Sequence, residues 1–452
     1  MKDSNQRVYL MKVATVWGAI VLLFLAVGAL RTKTPKLDLA TDADAVSSSA
    51  ASRMPKKPPG GSPNPSSKKR DYIKKSEWLK GMRLYRDWWS KAQAAVYVAE
   101  MDRTTKNLRF GVELANDRLL GRESISSMAS RIAQHGIPTL AAVNGSFGIR
   151  QDGMGRGGMI FNLHIQDWEL VSIAPRRNHW GYSPTSPWGE TSFGVTTSGE
   201  FLLDAVQLNG IIRIDGKTLE AGCINQIRGS TCPVVIYTPR FGEQTLTRGG
   251  YEVILKQLKL PLTGKYHTRF EIDHVNMGGN SIIPRHGVVL SLERQLAQKW
   301  RSALSEGAKG ELEIALSPAK WQRVPAGIGG NIRLLRNGEI ESELVEFHRS
   351  RGGSAPAQRN GARYHPRSAL GFNDDKLFLV TVDGRQEGYS TGMTFYEMAG
   401  FLRDLGVKHA INFDGGSSST FWGLGEVVNR PAFSYERRVF NIAMITTKLD
   451  FG

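Results

Sequence analysis

The sequence predicts a mixed α/β (α+β) fold: a strand-rich mixed sheet core with a C-terminal βαβ unit and flanking helices. Three observations carry this. The 452 residues include 49 glycines, which implies many turns, and so a strand-rich chain rather than a helical bundle. Apolar runs bounded by turn residues recur along the body, beginning with AAVYVAEMD at 94–102. Near the C-terminus an apolar β-branched run, a helical pattern and a second short apolar run follow in close succession.

At the N-terminus, VATVWGAIVLLFLAVGAL (13–30) is 18 uncharged, mostly apolar residues with basic residues on both flanks. That length can just span a bilayer. A signal anchor is therefore expected over 1–30, with the main domain periplasmic or extracellular and a bacterial source. A cleaved signal peptide is the rival, with small residues at Ala26-Val27-Gly28. Residues 31–70, rich in Pro, Ser and Lys, cannot bury enough apolar area to fold and read as a disordered linker. From Asp71 aromatics and alternation return. Residues 71–452 are expected to form one domain, with excursions near 162–190 and 262–320.

Formal charge is +17, of which +8 lies in residues 1–70. A basic surface favours anionic partners: a membrane, nucleic acid or a phosphorylated glycan. No RNA-binding signature, zinc knuckle or basic zipper is present, so nucleic acid is not expected. There is no HExxH or CxxC, no G-x-S-x-G elbow and no Walker-type phosphate loop. No cofactor is expected; a divalent cation held by paired carboxylates remains an alternative. Cys223 and Cys232 are two buried thiols in a cytosolic chain, or a short disulfide loop in an exported one.

The C-terminal unit is the most legible. KLFLVTVDGR (376–385) reads as a strand ending at Asp383-Gly384-Arg385. Thr394 with Glu397 three residues later is a capping box. Phe395, Met398, Ala399 and Leu402 recur at helical spacing, and Gly406 sits at a C-cap position. KHAINFDGG then gives a strand leading to Asp414. A βαβ crossover makes the two strands parallel, so Asp383 and Asp414 emerge at the same sheet edge, roughly 5–10 Å apart for neighbours or next neighbours. After Asp414, Gly415 and Gly416 allow close backbone approach, and their N–H groups with the hydroxyls of Ser417, Ser418 and Ser419 read as an anion or sugar cradle. Read alone, the same stretch is an ordinary turn. Arg367 and Arg385 at that edge read as a phosphate clamp. Asn144, at the end of TLAAVN, is placed to bond a sugar hydroxyl or to orient a carboxylate.

VDGRQEGYSTGMTFYEMAGFLRDLGVKHAINFDGGSSSTFW (382–422) resembles the signature of the phosphodiester glycosidase family: D-G-R, then S-x-G-[ML]-T, an E-[LM]-A helix, and D-G-G-G-S-S. AAVNGSFG, VVIYTPRFGEQT, IPRHGVVLS, AGIGGNIRLLRNGEI, HPRSALGF, GEVVNRPAF and RRVFNIAMI resemble further blocks in the same order. The resemblance covers about residues 95–447. Two positions depart from it: Ser417 stands for the third glycine of D-G-G-G-S, and Ser146 for the second glycine of N-G-G-F. The resemblance implies hydrolysis of a sugar-1-phosphodiester of the GlcNAc-1-phosphate type, with rupture of the C1–O bond. Asp414 is then nucleophile or general base with Asp383 as its partner; the two roles are exchangeable. Arg367 and Arg385 hold the phosphate, Gly415, Gly416, Ser417 and Ser418 supply donors, and Asn144 fixes the sugar. His365 and Glu387 are candidates for the acid. The expected partner is a phosphorylated or phosphodiester-linked envelope glycan. The alternatives are a non-catalytic anionic-glycan binder and a metal-dependent phosphodiesterase.

Overall fold

Four layers surround the C-terminal motif. They belong to a computed structural model that describes residues 71–73, 80–174, 190–349 and 361–447, with the two-residue strand Asp38–Leu39. An eight-stranded sheet runs in the order Asp71–Tyr72, Met82–Trp89, Ala94–Asp102, Lys376–Val382, Arg367–Phe372, His409–Asn412, Arg333–Arg336, Glu339–Ile340. Strand alternation divides its side chains. Val96, Val98, Val380 and Val382 face the helix Phe395–Asp404 and pack on Met398, Ala399 and Leu402. Ala95, Tyr97, Ala99, Leu377 and Leu379 face the other way, onto a five-stranded sheet. That sheet runs Glu426–Val427, Phe421–Gly423, Thr139–Asn144, Asn441–Thr447, Leu108–Leu114. Its far side, through Ala142, Ile442 and Met444, is covered by Ile125, Met128 and Ile132 of the helix Ile125–Ala133.

Residues 207–317 supply all eight strands of a second eight-stranded sheet. Its order is Lys217–Ala221, Gln207–Ile214, Lys309–Ser317, Lys265–Asn276, Tyr251–Lys256, Val288–Leu292, Val234–Tyr237, Cys223–Ile224. It encloses its own apolar cluster, from Ile212 and Leu219 through Val253, Ile272 and Leu290 to Leu312. The excursion expected near 262–320 is thus part of a longer structural unit. The first long strand is Met82–Trp89, one before Ala94–Asp102.

The strand-rich, mixed α and β character expected from the sequence is present. The two strands flanking the C-terminal helix are not adjacent. Arg367–Phe372 lies between them and is antiparallel to both, pairing Arg367 with Val382 and Ala369 with Asn412. They therefore run in the same direction as next neighbours, and their ends lie two strand spacings apart, about 10 Å. The helix between them is closed by the expected capping box. Thr394 Oγ1 accepts from the Glu397 N–H, and the Glu397 carboxylate accepts from the Thr394 N–H.

The anchor and linker expected over 1–70 lie outside the described residues, apart from Asp38–Leu39. Among the described residues no helix is long and apolar enough to cross a membrane, and the expectation of a membrane-anchored localisation is corrected on that finding.

Candidate active site

Three strand ends meet where the two central sheets face one another. Thr139–Asn144 ends at Asn144, Lys376–Val382 leads into Asp383, and His409–Asn412 leads to Asp414. Backbone bonds fix the junction. The Asp414 N–H donates to Gly145 O at 2.9 Å, Phe413 N–H to Ser368 O at 2.8 Å, and Asp383 N–H to Ala95 O at 3.0 Å. Both aspartates are buried.

Asp383 sits on the face turned to the five-stranded sheet. Its Oδ1 accepts from Asn429 Nδ2 at 2.8 Å, and its Oδ2 from the Tyr389 hydroxyl at 2.9 Å and the Arg430 N–H at 3.0 Å. Burial pushes its carboxyl up to about 6, against the opposing pull of Asn429, the Arg430 N–H, Tyr389 and the Arg86 charge. The Tyr389 hydroxyl also meets Tyr97 Oη at 3.1 Å. Burial, first, and these neighbours push Tyr389 far up, so it stays a donor.

At Asp414 the carboxylate Oδ1 accepts from the Gly415 N–H at 2.9 Å. The turn that follows is closed from within. Gly416 N–H donates to Pro366 O at 2.8 Å, and the N–H groups of Ser418 and Ser419 donate to Gly415 O and Gly416 O. The two glycines serve different needs. Gly416 has φ +60°, where a side chain is strained; Gly415 lies so close to the neighbouring strand that a β-carbon would stand 3.0 Å from Pro366 O. The amides expected as an anion cradle thus build the loop. What the loop presents is hydroxyls: Arg437 Nη1 donates to Ser417 Oγ at 2.5 Å and reaches Ser418 Oγ at 3.3 Å.

Asn144 is almost fully buried and joins the sheets. Its Nδ2 donates to Asp414 O at 2.6 Å, while its Oδ1 accepts from Ser368 Oγ at 2.6 Å and Thr420 N–H at 3.3 Å. It orients the aspartate loop. Arg367 is buried on the helix side. Its Nε donates to Met393 O at 2.8 Å, its Nη2 to Arg363 O at 2.9 Å, and its guanidinium lies 4.1 Å from the Phe395 ring centroid. It abuts the loop, with Nη1 3.9 Å from where a β-carbon of Gly415 would stand. Arg385 is exposed and donates to His365 Nδ1 at 3.2 Å. Burial and then the charges of Arg367, Arg385 and Arg363 push His365 strongly down, so it is neutral and no imidazolium acid. Asp383, Asp414, Asn144 and the serines are thus brought to one junction. Arg367 and Arg385 both bear on His365, Arg367 from the buried side and Arg385 from the exposed rim.

Arg437, Tyr389, Asn429 and Arg430 were not read from the sequence as site residues. Arg437 and Asn429 do lie inside quoted motif blocks, RRVFN and VVNRP; that was the available signal. The two serine departures are accommodated. Ser146 Oγ donates to Gly329 O at 2.7 Å and accepts from Asn441 Nδ2 at 3.1 Å, and Ser417 Oγ accepts from Arg437.

With this geometry in place, comparison with known proteins decides the relationship. Residues 267–446 match the phosphodiester glycosidase family. The resemblance read from the motifs is borne out, and the matched span contains Asp383, Asp414 and Arg437. The N-acetylglucosamine-1-phosphodiester alpha-N-acetylglucosaminidase of Mus musculus is 33% identical over 109 residues, 23% of this chain and 20% of the mouse protein. The chain therefore matches about a fifth of that relative's length. Among solved structures, a hypothetical protein from Synechocystis aligns with TM-score 0.64 at 16% identity, over 85% of this chain and 64% of the other. A putative exported protein from Burkholderia pseudomallei K96243 aligns with TM-score 0.59 at 18% identity, over 78% of this chain and 74% of the other. At such identities the two share the fold with this phosphodiester glycosidase-like chain.

Proposed function

We propose that the chain hydrolyses the glycosidic bond of a sugar-1-phosphodiester of the GlcNAc-1-phosphate type, within a phosphodiester-linked glycan. The observation that carries this reading is the pair of buried aspartates on next-neighbour strand ends beside hydroxyls held by Arg437. Cleavage at C1 needs a carboxylate at the anomeric face. Asp414 fills that role as nucleophile or general base, held by Asn144 through its carbonyl and by Gly415 through its carboxylate. Asp383 is its partner, placed about two strand spacings away. A phosphate leaving group requires charge stabilisation more than protonation, and Arg437 with Ser417 and Ser418 supplies donors for it. Arg367, engaged with two backbone carbonyls, supports the loop, and Arg385 lies at the exposed rim.

Hydrolysis of an α-GlcNAc-1-phosphodiester by the full chain, in oxygen-18 water with and without chelator, tests the reading. Label in the released sugar, unchanged by chelator, is the expected result. Label in phosphate, abolished by chelator, replaces it with a metal-dependent phosphodiesterase. Asp414→Asn is expected to reduce kcat by at least about 10³-fold with unchanged thermal unfolding. Full activity in that variant removes Asp414 from the assignment.

A further inference from the structure

A second positive site borders Asp383 and takes no part in the mechanism above. Arg86, on the strand Met82–Trp89, has its guanidinium 5.6 Å from the centroid of the Tyr389 ring. Arg430 has its own 5.1 Å from the same centroid. No ion pair joins either side chain to a carboxylate among the described residues, and neither has a side-chain hydrogen bond there. Arg430 is exposed and Arg86 half-buried; among other half-buried arginines, Arg131 is paired with Glu113 and Glu123, and Arg156 with Asp152.

The platform beneath them is fixed. The Tyr389 hydroxyl is held between Asp383 Oδ2 and Tyr97 Oη. Arg430 is pinned at both ends of its backbone, its N–H to Asp383 Oδ2 and its carbonyl to Gln386 Nε2 at 2.8 Å. Two guanidiniums are thus presented over one immobilised ring at the edge of the site. Weakly hydrated, planar guanidiniums over an aromatic face are suited to a phosphate oxyanion.

Their position gives the substrate class. Arg437 and the serines lie at the Asp414 loop; Arg86 and Arg430 lie at Asp383, about two strand spacings across the sheet edge. That is the span of a sugar unit with a phosphate at each end. Resting on the glycosidase reading, we propose that Arg86 and Arg430 form a second phosphate subsite. It takes the phosphodiester on the far side of the sugar from the bond that breaks. The substrate is then a sugar that carries phosphodiesters at both C1 and another hydroxyl, as in a repeating phosphodiester polymer.

The test compares kcat/KM of the full chain for methyl α-GlcNAc-1-phosphodiester and for its derivatives with a second methyl phosphodiester at O3, O4 or O6. At least one derivative is expected to be preferred about tenfold or more. Arg86→Ala/Arg430→Ala is expected to abolish that preference, and Arg86→Lys/Arg430→Lys to restore part of it. No preference in the wild-type chain overturns the proposal. An equal loss on both classes of substrate also overturns it, and leaves the arginines as counter-charges for Asp383. If no substrate is hydrolysed, the glycosidase reading fails first, and calorimetric binding of the bis-phosphodiesters decides the subsite. Equal affinity in wild type and the alanine variant overturns it; affinity lost in the alanine variant and partly regained with lysine upholds it.

Discussion

Arg367 and Arg437 are both guanidiniums beside the Asp414 loop, and their surroundings assign them different work. Arg367 donates to two backbone carbonyls and lies on Phe395, so its removal takes away two charge-assisted hydrogen bonds and a buried packing contact. Arg367→Ala is expected to cost about 2–4 kcal/mol in denaturant unfolding. Arg437 is half-buried and, among the described residues, its side-chain hydrogen bonds go to hydroxyls of the loop. Arg437→Ala is expected to lower kcat/KM by about 10²–10³-fold and to shift unfolding little. If Arg437→Ala instead lowers stability by several kcal/mol while the folded protein keeps its kcat/KM, Arg437 holds the loop and does not bind the leaving phosphate. Asp383 adds a pH signature. Its folded pKa, about 6, lies above the ordinary 3.8. The fold therefore favours the protonated form; that contribution to stability is fully present below about pH 4 and is lost as pH rises through about 6. Activity runs the opposite way, because the ionised partner is required, and the acidic limb of kcat/KM is expected near pH 6. Tyr389→Phe removes a donor that lowers this pKa, so the limb is expected to move up by about one unit. A limb that stays in place removes Asp383 from the ionisation.

At the scale of elements, the segment from Asp383 to Thr394 couples the first aspartate to the helix cap. It passes Gly392, whose φ is +96° and whose missing β-carbon would stand 2.4 Å from His365 O. Gly392→Ala is expected to cost about 2 kcal/mol or more in unfolding, and to lower kcat because His365, Met393 and Arg367 are held there. Equal stability in that variant would show the backbone relaxing at no cost. The same segment marks the limit of what the sequence revealed. The capping box, the apolar stripe and Gly406 with its positive φ could be read because they depend on residues three or four apart. The shared edge of the two aspartates followed from a short crossover. Whether the two strands are neighbours or next neighbours could not be read, since the apolar pattern of RSALGF does not say that Arg367–Phe372 lies antiparallel between them. Nor could Asn429, bonded to a carboxylate 46 positions away, or the Gly416 amide, whose acceptor is Pro366 O just before the strand Arg367–Phe372. Those contacts come from the packing of two sheets, and local spacing carries no trace of them.

At the scale of the whole molecule, the second eight-stranded sheet packs an apolar cluster that takes in Leu163, Ile165 and Leu170, and a polar path also leads from its edge to the site. Cys223 and Cys232 close a disulfide at its edge, where Cys223–Ile224 pairs in parallel with Val234–Tyr237. Next to it Asn225 Nδ2 donates to Val171 O, and Gln226 Nε2 to Ser172 Oγ, both at 2.7 Å. Ser172 pairs with His164, and His164 Nδ1 meets Asn441 Nδ2 at 3.1 Å. Asn441 Oδ1 then accepts from the Ser146 N–H at 2.7 Å, in the loop whose Gly145 carbonyl holds Asp414. Apart from the strand pairing of Ser172 with His164, each step of this path is a buried hydrogen bond independent of the sulfur bridge. Cys223→Ala/Cys232→Ala is therefore expected to act on stability through loop-closure entropy, by about 2–3 kcal/mol, with a fall in Tm of about 3–4 °C. At 25 °C, well below the transition, kcat for the phosphodiester is expected to stay within about twofold of wild type. A larger fall in kcat, with the secondary structure intact by circular dichroism, would mean that the edge of the second sheet sets the position of the Asn144–Ser146 loop, and that the two cores act on Asp414 together.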